Sequence, residues 1–226
     1  MPKTKDPSPK TKDIVALLLA AGRSRRMGAF KPLLPFGRTT VIHSCINNLR
    51  TGGVAEVVVV AGHRAAELKA NLNGVESVYF VVNRDPQSEM SASIVCGVRA
   101  LPPTAKAVLI ALTDQPAIPP AVIRSILEAW SRGAKLIIPE YNKRGGHPVL
   151  VDLEFRKQLL HLDPQRGLKS FFDAHQNQVQ RLKVNSSYIA RDMDTWDDYA
   201  ALHEEMFGAP PISLDPDEIR PVEPTN

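Results

Sequence analysis

Short, almost wholly apolar runs alternate along the chain with longer stretches whose apolar residues recur every three or four positions. The runs at 14–20 (IVALLLA), 56–62 (EVVVVAG), 77–83 (SVYFVVN), 107–114 (AVLIALTD) and 134–139 (AKLIIP) lack polar alternation, as expected of strands covered on both faces of a parallel sheet. Between them, 39–50 (TTVIHSCINNLR), 64–72 (RAAELKANL), 90–101 (MSASIVCGVRAL) and 119–130 (PPAVIRSILEAW) follow helical spacing. Strand then helix, repeated, predicts a doubly wound α/β layout. Beyond Gly146 the pattern loosens into a strand at 147–151 (HPVLV), helices near 152–160 and 166–175, a strand near 179–184 and a helix from about Thr195.

Composition bounds the chain without naming its chemistry. A hydrophobic fraction of 43% and a charged fraction of 23% over 226 residues suit one globular core, expected over 13–207. Residues 1–12, lysine-rich and interleaved with proline, read as a disordered basic tail, and 208–226 as a disordered, acidic, proline-rich one. No run approaches the roughly eighteen apolar residues of a membrane span, and the start has no apolar signal core. The expectation is a cytoplasmic protein without a membrane partner. Cys45 and Cys96 fall in predicted helices with no metal-site spacing, so both are expected to be buried, inert thiols. The net charge of +4 owes much to the first twelve residues, which argues against a nucleic-acid track. A local excess remains at Arg23, Arg25, Arg26 and Lys31, the size of a phosphate site.

That excess sits on the loop after the first strand, LLLAAGRSRRMGAFKPLLPFG. A turn of small residues lets backbone N–H groups approach a ligand closely, making an anion cradle of Leu19, Ala20, Ala21, Gly22 and Ser24. Gly22 and Gly28 do not make G-x-G-x-x-G, and no G-K-[ST] follows, so neither a Rossmann dinucleotide loop nor a Walker loop is supported. Arg26, through its planar fork, and Lys31, as a point charge, would meet a triphosphate. The bland alternative is a solvated basic turn.

The string LAAGRSRRMGAFK resembles the signature L-A-A-G-x-S-x-R-M-G-x-x-K of the molybdenum cofactor nucleotidyltransferase family at each fixed position. The resemblance extends through ALTDQP, GGHPVL and RDMDTWDDY, leaving only the two tails outside it. It implies a three-layer, Rossmann-like α/β nucleotidyltransferase fold with a mixed, mainly parallel sheet. It also implies Mg²⁺ and transfer of a nucleotide from CTP or GTP to the phosphate of molybdopterin, with release of pyrophosphate and a molybdoenzyme as a candidate partner. Ala21 in A-A-G fits the cytidylyl type, favouring CTP.

Nucleotidyl transfer needs alignment and charge neutralisation more than a base, because a phosphate acceptor is already anionic. Asp114, after an apolar strand, stands at the carboxyl edge of the sheet, where open α/β folds bind ligands. It is a candidate Mg²⁺ ligand, the alternative being a cap for the helix near Pro119. Asp194, in the family's D-I-D-T-P-E-D position, is the candidate second ligand, with an N-cap as its alternative and Asp192 ranked behind it. Asn83, Ser91 and Ser93 are candidate base or sugar contacts, although Glu89 stands where the family usually has glycine. His147 of GGHPVL is a candidate for the acceptor side, the alternative being a loop histidine before a trans proline. The family's G-D-x-G-A-R element has its counterpart in LDPQRGLKSFF, which keeps Asp163, Arg166 and Gly167 in altered order.

Two competing readings remain at this stage. A sugar-1-phosphate or methylerythritol-phosphate nucleotidyltransferase would share the loop, Lys31 and Asp114 but change the acceptor pocket. A non-catalytic nucleotide or cofactor binding module would not require both residues to be kept.

Overall fold

A computed structural model describes residues 11–22, 26–85 and 89–211. The strands are β1 (Ile14–Ala20), β2 (Pro35–Phe36), β3 (Thr39–Thr40), β4 (Glu56–Ala61), β5 (Val78–Val82), β6 (Ala107–Leu112), β7 (Leu136–Tyr141), β8 (Arg144–Gly145), β9 (Val149–Asp152) and β10 (Val179–Lys183). The helices are α1 (Val41–Thr51), α2 (Ala65–Asn71), α3 (Met90–Ala100), α4 (Pro120–Ser131), α5 (Arg156–Leu159), α6 (Gly167–Ala174) and α7 (Trp196–Phe207).

The main sheet runs β10-β7-β9-β6-β1-β4-β5, with β8 paired to β7. β6, β1, β4 and β5 are mutually parallel, β10 is parallel to β7, and β9 is antiparallel to both of its neighbours. The sheet is thus mixed and mainly parallel, with helices on both faces.

Strand β1 explains the layering. Its side chains alternate between Ile14, Ala16, Leu18 and Ala20, which join the core under α1 and α4, and Val15, Leu17 and Leu19, which join the core under α3, α5 and α6. Ile14, Leu17 and Leu18 have no exposed surface. Burial of such a side chain contributes roughly 1.5–3 kcal/mol, so a polar residue at any of these positions would be rejected, and the apolar run is continuous for that reason.

A third, smaller core joins Met27, Leu34 and Phe36 to Met193, Tyr199 and Leu202. The Tyr199 hydroxyl donates to the Pro35 carbonyl at 2.6 Å, fastening α7 to the β2–β3 hairpin. This packing holds Met27 and Ala29 of the loop after β1.

The described structure extends past the expected 13–207 bounds at both ends. Thr11–Asp13 form a 3-10 turn, and past α7 the Ala209 carbonyl is bonded to the His203 ring at 2.7 Å. The rest of both tails, 1–10 and 212–226, lies outside the described residues, as do Arg23, Ser24 and Arg25. Cys45 is buried as expected, but Cys96 is only half-buried, because its position on α3 faces past the outermost strand.

Candidate active site

The carboxyl ends of β1 and β6 lie side by side, and the chain leaves both towards the same edge of the sheet. Between the two departing loops is a cavity of about 360 Å³. Leu19, Gly22, Arg26, Lys31 and Pro32 line it from the β1 loop, Leu112, Thr113 and Asp114 from the end of β6, and Met90 and Asp194 from the remaining sides. The Thr113 hydroxyl donates to the Leu19 carbonyl at 2.6 Å and holds the two strand ends together.

Lys31 reaches this cavity from a 3-10 turn, Lys31–Leu33, that starts with Pro32 in its first turn. Gly28, with φ +66°, turns the loop inward in a conformation that residues with a Cβ seldom adopt. Lys31 is 8% exposed, so its ammonium requires a partner. Asp194 supplies one: the Lys31 ammonium donates to Asp194 Oδ1 at 2.8 Å, and Arg26 Nη2 meets Oδ2 at 3.1 Å. The two cations therefore converge on a single anion, across both of its oxygens.

The helix-cap alternatives for the two acids are not what the structure contains. Helix α7 is capped by Thr195 and Asp198 in a reciprocal capping box, which leaves the Asp194 carboxylate to the cations. Helix α4 has Pro119 at its N-cap without a side-chain cap bond.

Asp114 has the opposite environment. Its Oδ1 is buried with no hydrogen-bond partner among the described residues. Burial pushes its carboxyl up to about 6, the neighbouring Asp192 adds to the rise, and Lys31 opposes it. A buried, partnerless carboxylate oxygen beside further acids is a fitting hard-oxygen donor for a divalent cation. No three His, Cys, Asp or Glu side chains among the described residues form a metal cage by themselves. A cation here would complete its shell with phosphate or water oxygens, as Mg²⁺ commonly does.

Asp192 is positioned by Gln115, whose amide donates to Asp192 Oδ1 at 2.7 Å. The Met193 N–H donates to the Asp114 carbonyl at 2.9 Å, so the segment before α7 is stitched directly onto the end of β6. Sequence reading did not single out Gln115, Met90 or Pro32. ALTDQP was recognised as a unit, but nothing local distinguishes Gln115 as the support of an acid 77 residues later.

Other expected site residues lie elsewhere. Ala20 is buried in the core beneath the strand end, and Ala21 leads into Gly22 at the cavity rim. Asn83, Ser91 and Ser93 are not among the described residues lining the cavity. The Asn83 amide donates to the Ser93 hydroxyl at 3.1 Å, and the buried Ser91 donates to the Pro164 carbonyl at 3.0 Å, bracing α3 against the Asp163–Arg166 turn. His147 is largely enclosed, its Nδ1 lies 3.4 Å from the Ile110 carbonyl, and burial lowers its pKa so that the ring is neutral near pH 7. The His147–Pro148 peptide is cis, not trans. The preceding Gly146 packs so tightly that a Cβ would lie 1.9 Å from the Ile189 carbonyl oxygen.

Residues 16–179 match the model of the MobA-like NTP transferase domain. Over 191 residues the chain is 29% identical to a nicotine blue oxidoreductase of Paenarthrobacter nicotinovorans, covering 80% of this chain and 92% of that one. It is 25% identical over 195 residues to the molybdenum cofactor cytidylyltransferase of Escherichia coli, covering 84% and 96%. The crystal structure of Rv0371c from Mycobacterium tuberculosis superposes with a TM-score of 0.77 at 28% identity, covering 85% of this chain and 98% of that one. A complex of Rv0371c with manganese superposes at 0.73 and 26% identity, covering 85% and 98%. With the loop after β1, the mixed sheet and the carboxyl-edge cavity all present, the chain belongs to the MobA-like NTP transferase family and is a nucleotidyltransferase by family and fold.

Proposed function

We propose that the chain transfers a nucleotide, CMP in preference, from a nucleoside triphosphate to the phosphate of a small acceptor such as molybdopterin, with Mg²⁺ as the metal. An acceptor phosphate oxygen forms a bond to the α-phosphorus, the α–β phosphoanhydride bond breaks, and pyrophosphate leaves with the electron pair. The observation that carries the reading is one cavity lined by two cations and two acids: Lys31 and Arg26, joined by Asp194, on one side, and Asp114 with a partnerless buried oxygen on the other.

Lys31 and Arg26 would take the phosphates, with the backbone from Leu19 to Gly22 beside them. Asp194 already draws the two side chains together, so a phosphate arriving there substitutes one anion for another. Asp114 would hold the metal, with Asp192 and Asp194 as the flanking acids, and bound Mg²⁺ would neutralise charge on the phosphate oxygens. No general base is required of the protein, and His147, neutral and enclosed, serves the acceptor side by shape and hydrogen bonding. The preference for CMP rests on Ala21 and on the E. coli relative's name. A molybdoenzyme partner belongs to the same reading. Asn83, Ser91 and Ser93 would act on the nucleotide only after rearrangement of their mutual and backbone bonds.

A second reading, redox chemistry, is favoured by the relative named nicotine blue oxidoreductase. One experiment separates the two. Thermal shifts would be recorded with CTP, GTP, ATP, UTP and dTTP, each with and without Mg²⁺, and with NADH and NADPH. A Mg²⁺-dependent shift largest with CTP is the expected outcome. A shift with a nicotinamide nucleotide and none with any triphosphate would overturn it.

A further inference from the structure

Gln115 follows Asp114 on a stretch of backbone held from two sides. From α1, the Ser44 hydroxyl and the Asn48 amide donate to the Pro116 carbonyl at 3.0 and 2.9 Å, and the Cys45 thiol meets the Thr113 carbonyl at 3.6 Å. Towards β1, the Thr113 hydroxyl donates to the Leu19 carbonyl. Gln115 itself is 6% exposed, so both its backbone and its side chain are confined.

The amide nitrogen of Gln115 donates to Asp192 Oδ1 at 2.7 Å, while its oxygen is buried with no hydrogen-bond partner among the described residues. A side chain placed for packing alone would not bury an unsatisfied oxygen, which costs stability, when methionine fills a similar space. What the glutamine supplies is its bond to Asp192.

Asp192 is also fixed along the chain. Its neighbour Met193 is wholly buried and donates its N–H to the Asp114 carbonyl, and Asp194 is held by Lys31 and Arg26. Asp192 is exposed and is not among the described residues lining the cavity, yet its charge acts on both Asp114 and His147. An acid near the cavity but outside its lining reaches a cation at Asp114 through a water, and Mg²⁺ usually keeps several of its waters. Such an acid must be aimed, and losing an outer partner of this kind typically costs about 10- to 100-fold in metal affinity.

We propose that Gln115 is a positioning residue acting through Asp192: by occupying Oδ1 it fixes the carboxylate so that Oδ2 holds a water of the divalent cation bound at Asp114. This role rests on the nucleotidyl-transfer reading and gives Asp192 a task distinct from that of Asp194.

The test compares wild type, Gln115→Met, Asp192→Ala and the double variant. Mn²⁺ affinity is read by electron paramagnetic resonance with saturating CTP, and CTP affinity by calorimetry without metal. Gln115→Met keeps every charge, so a change in metal affinity reports aim alone. It should weaken Mn²⁺ binding by about 10-fold and leave metal-free CTP binding and a cooperative melt as in wild type. Asp192→Ala, on an exposed residue, keeps the test decisive even where the methionine variant does not fold; it should weaken Mn²⁺ binding at least as much. The double variant should be no weaker than Asp192→Ala, because two residues that act through one contact do not add. Wild-type Mn²⁺ affinity in either single variant, losses that add, or an equal loss of metal-free CTP binding in Gln115→Met would each overturn the role of Gln115 and leave the nucleotide site standing. A wild type that binds no Mn²⁺ with CTP would remove both.

Discussion

On the wall of the cavity that follows β1, the charged groups are already satisfied: Lys31 and Arg26 share Asp194 across both of its oxygens. On the wall that follows β6, Asp114 has a buried oxygen that nothing described in the protein satisfies. A cavity built only for structure would have paired Asp114 as well, because a partnerless buried carboxylate is costly. One wall presents cations held ready by an exchangeable anion, and the other presents an acid with one buried oxygen left without a hydrogen bond. A metal–nucleotide complex brings a charge of the sign each wall accepts.

Changes to the unsatisfied wall should have the larger effect on activity. Asp114→Asn is expected to lower kcat/KM by about 10³-fold or more, the scale of losing the anchor of transition-state charge stabilisation. Its effect on stability should have the opposite sign from that of losing a structural acid. Folded Asp114 titrates near 6, above the ordinary aspartate value, so its contribution is complete below the unfolded pKa of about 4 and is lost as pH rises through 6. The ligand-free wild type should therefore lose on the order of 2 kcal/mol across that window, and Asp114→Asn should not. Thermal melts at pH 4, 6 and 8 check this. An Asn variant that melts well below wild type at pH 8 would assign Asp114 a structural task.

Lys31→Ala comes next. It removes a charge-assisted contact and leaves Asp194 with Arg26 alone, so affinity for the triphosphate should fall by about 10- to 100-fold in titration calorimetry. Asp194→Asn should act more weakly and in two directions. Without a divalent metal, removal of the competing anion should tighten triphosphate binding by a few-fold; with Mg²⁺, turnover should fall. Weaker binding in both conditions would mean that Asp194 positions the cations without yielding to phosphate. The smallest effect belongs to Arg26→Ala, whose side chain is 73% exposed: a loss of affinity of about five-fold or less, shrinking further as salt is raised.

These differences also mark what the sequence could reveal. Strands β1, β4 and β6 were legible because burial on both faces forces apolar runs, and α1, α3 and α4 because one buried face imposes helical spacing. The β2–β3 hairpin and β8, two residues per strand, are too short to carry any period. Lys31, Arg26 and Asp114 were found because chain-local motifs contain them, and they do converge on one cavity. The tie from Gln115 to Asp192 was hidden because it is made by folding, across long chain separation. For Asp194, the nearby Thr195 and Asp198 made a cap look plausible, and only the packed structure shows that those two residues form the cap themselves. The half-exposure of Cys96 depended on β5 being the last strand, a topological fact that the spacing on α3 does not encode.

Binding of Mn²⁺, followed by electron paramagnetic resonance in wild type and Asp114→Asn with and without CTP, bears most directly on the opposed walls. The wild type should bind the ion tightly only when CTP is present, and the Asn variant should lose most of that enhancement while still binding CTP. Equal Mn²⁺ affinity in the two proteins, or an affinity indifferent to CTP, would contradict the assignment of Asp114 to a metal shared with the nucleotide.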